Sequence, residues 1–183
     1  MRRLRVVLIA MLGIAYIAVS IAAQTTERSA SRPTFFEPDD QNRGLENARP
    51  PSDAILDALL KRIEADELND EIESLSREQK RALFEVVRVN LGPAAEEGYV
   101  VHGKPPMIGA DCEWFWIVRV RKGKAAVILF SNGLALELRR QVVNGYRDIG
   151  VSWPTAAYIG DRLYRYDGSG YKLLHEQTKE QKP

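Results

Sequence analysis

The chain has almost none of the residues from which reactive sites are most often built. It contains one cysteine, Cys112, and two histidines, His102 and His175. There is no C-x-x-C and no H-E-x-x-H, so the ligand spacings of common zinc sites are missing. No glycine-rich phosphate loop lies between a strand and a helix, and no G-x-S-x-G marks a hydrolase serine. A single cysteine excludes an intramolecular disulfide. No cysteine stands directly after the N-terminal apolar run, which argues against a lipid-anchored lipoprotein. Net charge is lacking too: three of the 26 basic side chains lie in residues 1–23, leaving 23 against 25 acids. Such a balance gives no electrostatic reason to bind nucleic acid or an anionic membrane surface. Neither a metal nor a cofactor is expected.

What is present begins with Arg2, Arg3 and Arg5, followed by the 18 uncharged residues from Val6 to Ala23. A basic head, an apolar run and small residues at its end read as an export signal, with cleavage after Ala22 or Ala23. The run is also near the minimum length for spanning a bilayer, so a retained anchor over residues 6–23 is the alternative. Both place the remaining chain outside the cytoplasm, periplasmic or tethered to the inner membrane. Residues 24–51 are polar and punctuated by proline, and are expected to be a flexible spacer with Phe35 and Phe36 as its aromatics. Residues 52–177 are expected to form one domain, with 178–183 a polar tail.

Two helices are expected over residues 52–92. Ser52 suits an N-cap, and Ile55, Leu56, Leu59, Leu60 and Ile63 share one helical face. Residues 64–73 hold six acids without a base or a glycine, which fits a solvated helical surface better than a calcium loop. Ser76 and Gln79 form a capping box, Ala82, Leu83, Val86, Val87 and Asn90 continue a helical stripe, and Gly92-Pro93 ends it.

From Glu113 the period changes to two. Lys122-Gly123, Asn132-Gly133 and Asn144-Gly145 are hairpin signals. The first would set Trp116 opposite Leu129 and Val118 opposite Val127. The second would set Leu129 opposite Leu136, and the third Leu138 opposite Val151 and Leu136 opposite Trp153. All eight of Trp116, Val118, Val127, Leu129, Leu136, Leu138, Val151 and Trp153 then share one face. A further hairpin around 167–170 would pair Tyr166 with Tyr171 and Tyr164 with Leu173. The expected fold is therefore α+β: a signal or anchor helix, a disordered spacer, and two amphipathic helices on a five- to six-stranded antiparallel β-meander over residues 113–177.

The opposite face of that meander would carry Phe115, Ile117, Arg119, Ile128, Phe130, Glu137 and Arg139. An apolar patch edged by charge is a candidate recognition surface. The competing reading covers it with the spacer or with residues 93–111, leaving Arg119, Glu137 and Arg139 as cross-strand charge pairing. A thiol site could be assembled from Cys112, His102 and Asp111, although no spacing requires it.

The stretches CEWFWIVRV, NGYRDIGVSW and LYRYDGSGYKL resemble the C-terminal domain of a group of uncharacterised exported bacterial proteins. Those show a cysteine before an aromatic strand, a turn like N-G-Y-R-D-[IL] and a closing Y-R-[YF]-D-G-x-x-Y, and the likeness covers residues 105–174. It implies export and fold, and no activity. The second, upstream cysteine common in that group has no counterpart here. The function expected from the sequence is a non-catalytic exported module that binds a protein or cell-envelope polymer. The alternatives are a cryptic thiol- or carboxylate-dependent hydrolase and a structural anchor-and-spacer protein.

Overall fold

A computed structural model describes residues 32–38, 42–68, 70, 72–92, 97–109, 112–154 and 158–180. The expected signal or anchor, residues 1–23, lies outside the described residues. Among those described, no helix is long and apolar enough to cross a membrane.

The α+β expectation is wrong. The described residues are mostly strand and form two antiparallel sheets with two helices. The five-stranded sheet runs β1 (Phe35–Phe36), β6 (Ala135–Val143), β7 (Tyr146–Pro154), β8 (Tyr158–Tyr166), β9 (Tyr171–Glu180). The four-stranded sheet runs β2 (Phe84–Val89), β3 (Glu97–Gly103), β4 (Glu113–Arg121), β5 (Lys124–Gly133). Helix α1 spans Asp53–Ala65 and α2 spans Arg77–Ala82.

Two apolar clusters order these elements into layers. In one, Ile55, Leu56, Leu59 and Ile63 of α1 meet Phe84, Val101, Trp116 and Val118, so α1 covers one face of the four-stranded sheet. In the other, Val87, Val100, Phe115 and Ile117 meet Leu136, Leu138, Ile149 and Val151, joining the two sheets. The single oily face expected from the turns is therefore divided. Trp116 and Val118 point to the helix, while Leu136, Leu138 and Val151 point to the space between sheets.

The capping box forms as expected, with the Gln79 amide donating to Ser76 and Gln79 Oε1 accepting from the Ser76 amide. The helix stops at Ala82, however, and Phe84–Val89 is a strand. A short apolar run at these spacings fits a strand buried on both faces as well as a helix. Here Phe84 and Val86 serve one cluster, Val87 and Val89 the other. Residues 97–103, expected only as a cover, supply β3 beside it.

Three of the four hairpins form. Lys122 and Gly123 have φ of 50° and 75°, and Asn144 and Gly145 of 52° and 79°. Two consecutive positive values are what a tight type I′ reversal needs. Val118 faces Val127, Tyr166 faces Tyr171 and Tyr164 faces Leu173, as expected. Beyond Ile117 an irregularity shifts the register, so Trp116 faces Phe130 and not Leu129. This bulge turns consecutive Ile128 and Leu129 into the same core. In β6 the register shifts by two, which pairs Leu138 with Ile149 and Leu136 with Val151 while preserving the face.

Asn132-Gly133 is not a hairpin turn, because β5 and β6 belong to different sheets. Neither residue has a positive φ. The glycine is required for close approach: a Cβ on Gly133 would lie 2.6 Å from the Ser152 carbonyl oxygen and 2.5 Å from Val151 Cγ1. Here the chain crosses between the sheets, and Leu134 donates its amide to Ser152 at 2.8 Å. Gly133→Ala is expected to cost about 1–3 kcal/mol in chemical denaturation, because backbone cannot yield as a side chain does. The equivalent change at Gly123, where a Cβ meets nothing within 4 Å, carries only the strain of its φ.

Part of the expected spacer is built into the fold. β1 pairs with β6, setting Phe36 opposite Leu136, and Phe36 is fully buried. Arg49 makes an isolated bridge to Val86 at the edge of β2. At the other end, β9 extends through Glu180 into the expected tail.

Candidate binding face on the five-stranded sheet

The expected patch does not exist as a surface. Phe115, Ile117 and Ile128 lie in the core between the sheets, covered by β6–β9 and not by the spacer or residues 93–111 alone. Phe130 packs on the helix side, stacked on Trp116 with centroids 5.2 Å apart. Arg119 reaches across the interior, and its Nη1 donates to the Tyr166 hydroxyl at 2.7 Å and the Tyr146 hydroxyl at 3.5 Å. Only Glu137 and Arg139 reach the outside, where they pair at 2.8 Å. The sequence could not show this split, because it gives no sign that β5 leaves one sheet and β6 enters another.

The NGYRDIG stretch is occupied by structural tasks. Asn144 Nδ2 donates to the Tyr166 carbonyl at 2.9 Å. Tyr146 stacks on Tyr166 with centroids 3.9 Å apart, and Tyr171 donates its hydroxyl to the Arg147 carbonyl at 2.8 Å. Burial pushes the Tyr171 phenol well above its ordinary pKa. Asp148 is buried and accepts two bonds from Arg165, at 3.1 Å from Nε and 2.7 Å from Nη2. That bidentate contact raises the Arg165 pKa.

The closing Asp167-Gly-Ser-Gly turn is held by a carboxylate. Asp167 Oδ1 accepts from the amides of Gly170 and Ser169, at 3.0 and 2.8 Å, and from the Ser169 hydroxyl at 2.8 Å. These bonds favour the charged form and lower its pKa from 3.8 to about 2. A depressed pKa stabilises the fold fully above 3.8, and the contribution is lost as pH falls through about 2. A carboxyl-carbon NMR titration is expected to place the Asp167 midpoint near 2; a midpoint at the ordinary 3.8 would mean the turn does not hold the carboxylate.

The outer face of the five-stranded sheet carries the groove. Cross-strand register sets Glu137, Gly150, Leu163 and His175 in one row, and Ala135, Ser152, Asp161 and Gln177 in the next. The irregularity in β6 between Leu138 and Val142 places Arg139, Arg140 and Gln141 beside Asp148. Bulges of this kind re-aim side chains at functional rims. Arg139–Gln141 and Asp148, with Asp161, Arg162, Leu163, His175 and Gln177 of β8 and β9, line a depression of about 380 Å³. A Cβ on Gly150, in the neighbouring strand, would come within 2.8 Å of Nε and Nη2 of Arg139, so the guanidinium that lines the groove lies across the glycine.

Arg139 is engaged by Glu137, Arg162 by Glu176 and Asn132, and Asp148 by Arg165. Arg140, Gln141, Asp161, His175 and Gln177 also line the groove, and make no side-chain hydrogen bond or ion pair among the described residues. The site thus presents one cation, one carboxylate, two amides and an imidazole, with Leu163 between them. It fits a polar, extended ligand.

The thiol arrangement is not assembled. His102 Nε2 lies 2.7 Å from Glu113 and its Nδ1 lies 3.7 Å from Glu85. The Cys112 sulfur instead accepts from Asn132 Nδ2 at 3.6 Å, and Asp111 lies outside the described residues. Among the described residues no three His, Cys, Asp or Glu side chains group as metal ligands. Compared with known protein families, curated proteins and solved structures, the chain matches none.

Proposed function

We propose that the chain is a non-catalytic exported binding module that recognises an extended polar partner, protein or envelope polymer, on the outer face of its five-stranded sheet. The observation that carries this reading is the groove, whose hydrogen-bonding groups Arg140, Gln141, Asp161, His175 and Gln177 have no partners among the described residues. The face is also open, whereas the outer face of the four-stranded sheet is taken by α1. Export rests on the basic head and apolar run of residues 2–23. It places the module in the periplasm, free or tethered to the inner membrane.

Photo-crosslinking in the native envelope tests the reading. A photoreactive residue at Gln141 or Gln177 is expected to capture one discrete partner, and one at Lys61 on exposed α1 is not. Equal capture from Lys61 would contradict it. Gly150→Ala refines the test. Its Cβ would displace only the flexible end of Arg139, so stability is expected to change by less than about 0.5 kcal/mol. Capture at Gln141 should nevertheless fall, since the Arg139 guanidinium that lines the groove is displaced.

A further inference from the structure

Successive rows of side chains cross the open face of the five-stranded sheet, and their charges are sorted. In the first row the β6 irregularity sets Arg140 and Gln141 beside Asp148, which Arg165 neutralises. Lys172 stands opposite Arg165 in the same row and is exposed, as Arg140 is. Arg140 has no partner among the described residues, so this end of the groove is cationic. The second row holds Gly150, Leu163 and His175. The third holds Ser152, Asp161 and Gln177. Asp161 has no partner among the described residues, and Arg162 beside it is directed to Glu176 and Asn132. That end is anionic.

Each end thus pairs a charge with an amide, and Leu163 lies in the row between. Side chains on one face of a strand recur every two residues, so the first and third rows are about 13 Å apart. An extended peptide lying on the sheet repeats with the same period. Its side chains i, i+2 and i+4 point the same way and match the three rows.

Resting on the groove reading above, we infer that the groove selects an extended peptide segment with an acidic and a basic residue four positions apart and an apolar residue midway. The acid meets Arg140, the apolar side chain lies on Leu163, and the base meets Asp161. The amides of Gln141 and Gln177 are placed to bond the peptide's backbone groups. A polyanion would set like charge against Asp161, and a neutral glycan would leave both charges of the groove unmatched. Repulsion of a wrong partner and complementarity to the right one together give specificity.

Selection of a randomised, displayed peptide library on the full-length chain tests the inference. Enriched sequences are expected to carry an acid and a base four positions apart severalfold more often than the unselected library. Asp161→Lys should turn the enriched base into an acid, and Arg140→Glu should remove the preference for the acid. Neither side chain has a partner to lose, so melting should be unchanged in both variants. Enrichment of acids alone, no recurrent charge spacing, or the same preference in both variants would overturn the inference. So would polyglutamate or a polyuronate binding as tightly as the enriched peptides. Such failures leave the groove reading itself standing, because that depends on capture from Gln141 exceeding capture from Lys61 in the native envelope.

Discussion

Phe36→Ala is expected to lower the free energy of unfolding by about 3–5 kcal/mol, the cost of emptying a buried phenylalanine site. Phe36 is fully buried in the core between the sheets, opposite Leu136, and Leu138 donates its amide to Thr34 at 2.7 Å beside it. Phe35, on the other face of the same two-residue strand, is half-buried with the Arg43 guanidinium 4.6 Å from its ring centre. Phe35→Ala should cost only about 1 kcal/mol, the scale of a partly exposed cation–π contact. Urea denaturation of both variants separates this account from a detached spacer, for which neither substitution would shift the midpoint.

Arg165→Ala is the second large effect, with an expected loss of about 3–5 kcal/mol, because it strands a buried carboxylate. The Asp148 side chain is 2% exposed and that of Arg165 is 31% exposed. The two deletions should therefore be unequal. Asp148→Ala leaves a guanidinium that turns towards water in the groove, so its cost should be the smaller of the two. Replacing the pair together, Asp148→Leu with Arg165→Met, should recover much of the loss, since an apolar pair of similar volume often substitutes for a buried ion pair. Equal losses from the two single deletions would show that Asp148 is not desolvated as described.

The legible parts of this fold were the ones governed by local chemistry. Asn144-Gly145 and Lys122-Gly123 reverse the chain because their residues tolerate positive φ, and Ser76-Gln79 caps a helix because side chain and amide lie within reach. Gly133 follows an asparagine in the same way, yet answers to a clash with Ser152 that only the folded chain creates. Sheet membership was the decisive omission. Alternation tells which residues share a strand face, but not whether that face meets a helix or a second sheet. Phe115 and Phe130 were thereby placed together and are in fact in different cores.

The candidate site was less legible still. Glu137 and Arg139 were named from the sequence, and both lie on the open face. Arg140, Gln141, Asp161, His175 and Gln177 were not placed in the candidate surface. The β6 irregularity that brings Arg140 and Gln141 to the groove leaves no mark in the residue pattern. Gly150 was the available signal: a glycine inside an otherwise regular strand often marks close approach by another group.

Hydroxyl-radical footprinting of the folded chain, read residue by residue by mass spectrometry, tests the two-sheet arrangement most directly. Phe36, Phe115, Trp116 and Ile117 are fully buried, whereas Leu173 and Leu174 are half exposed and His175 is exposed. The account predicts labelling of Leu173, Leu174 and His175 and protection of Phe36, Phe115, Trp116 and Ile117. Labelling of Phe115 and Ile117 at the level of Leu174 would contradict it, because the row between the sheets would then be open to water.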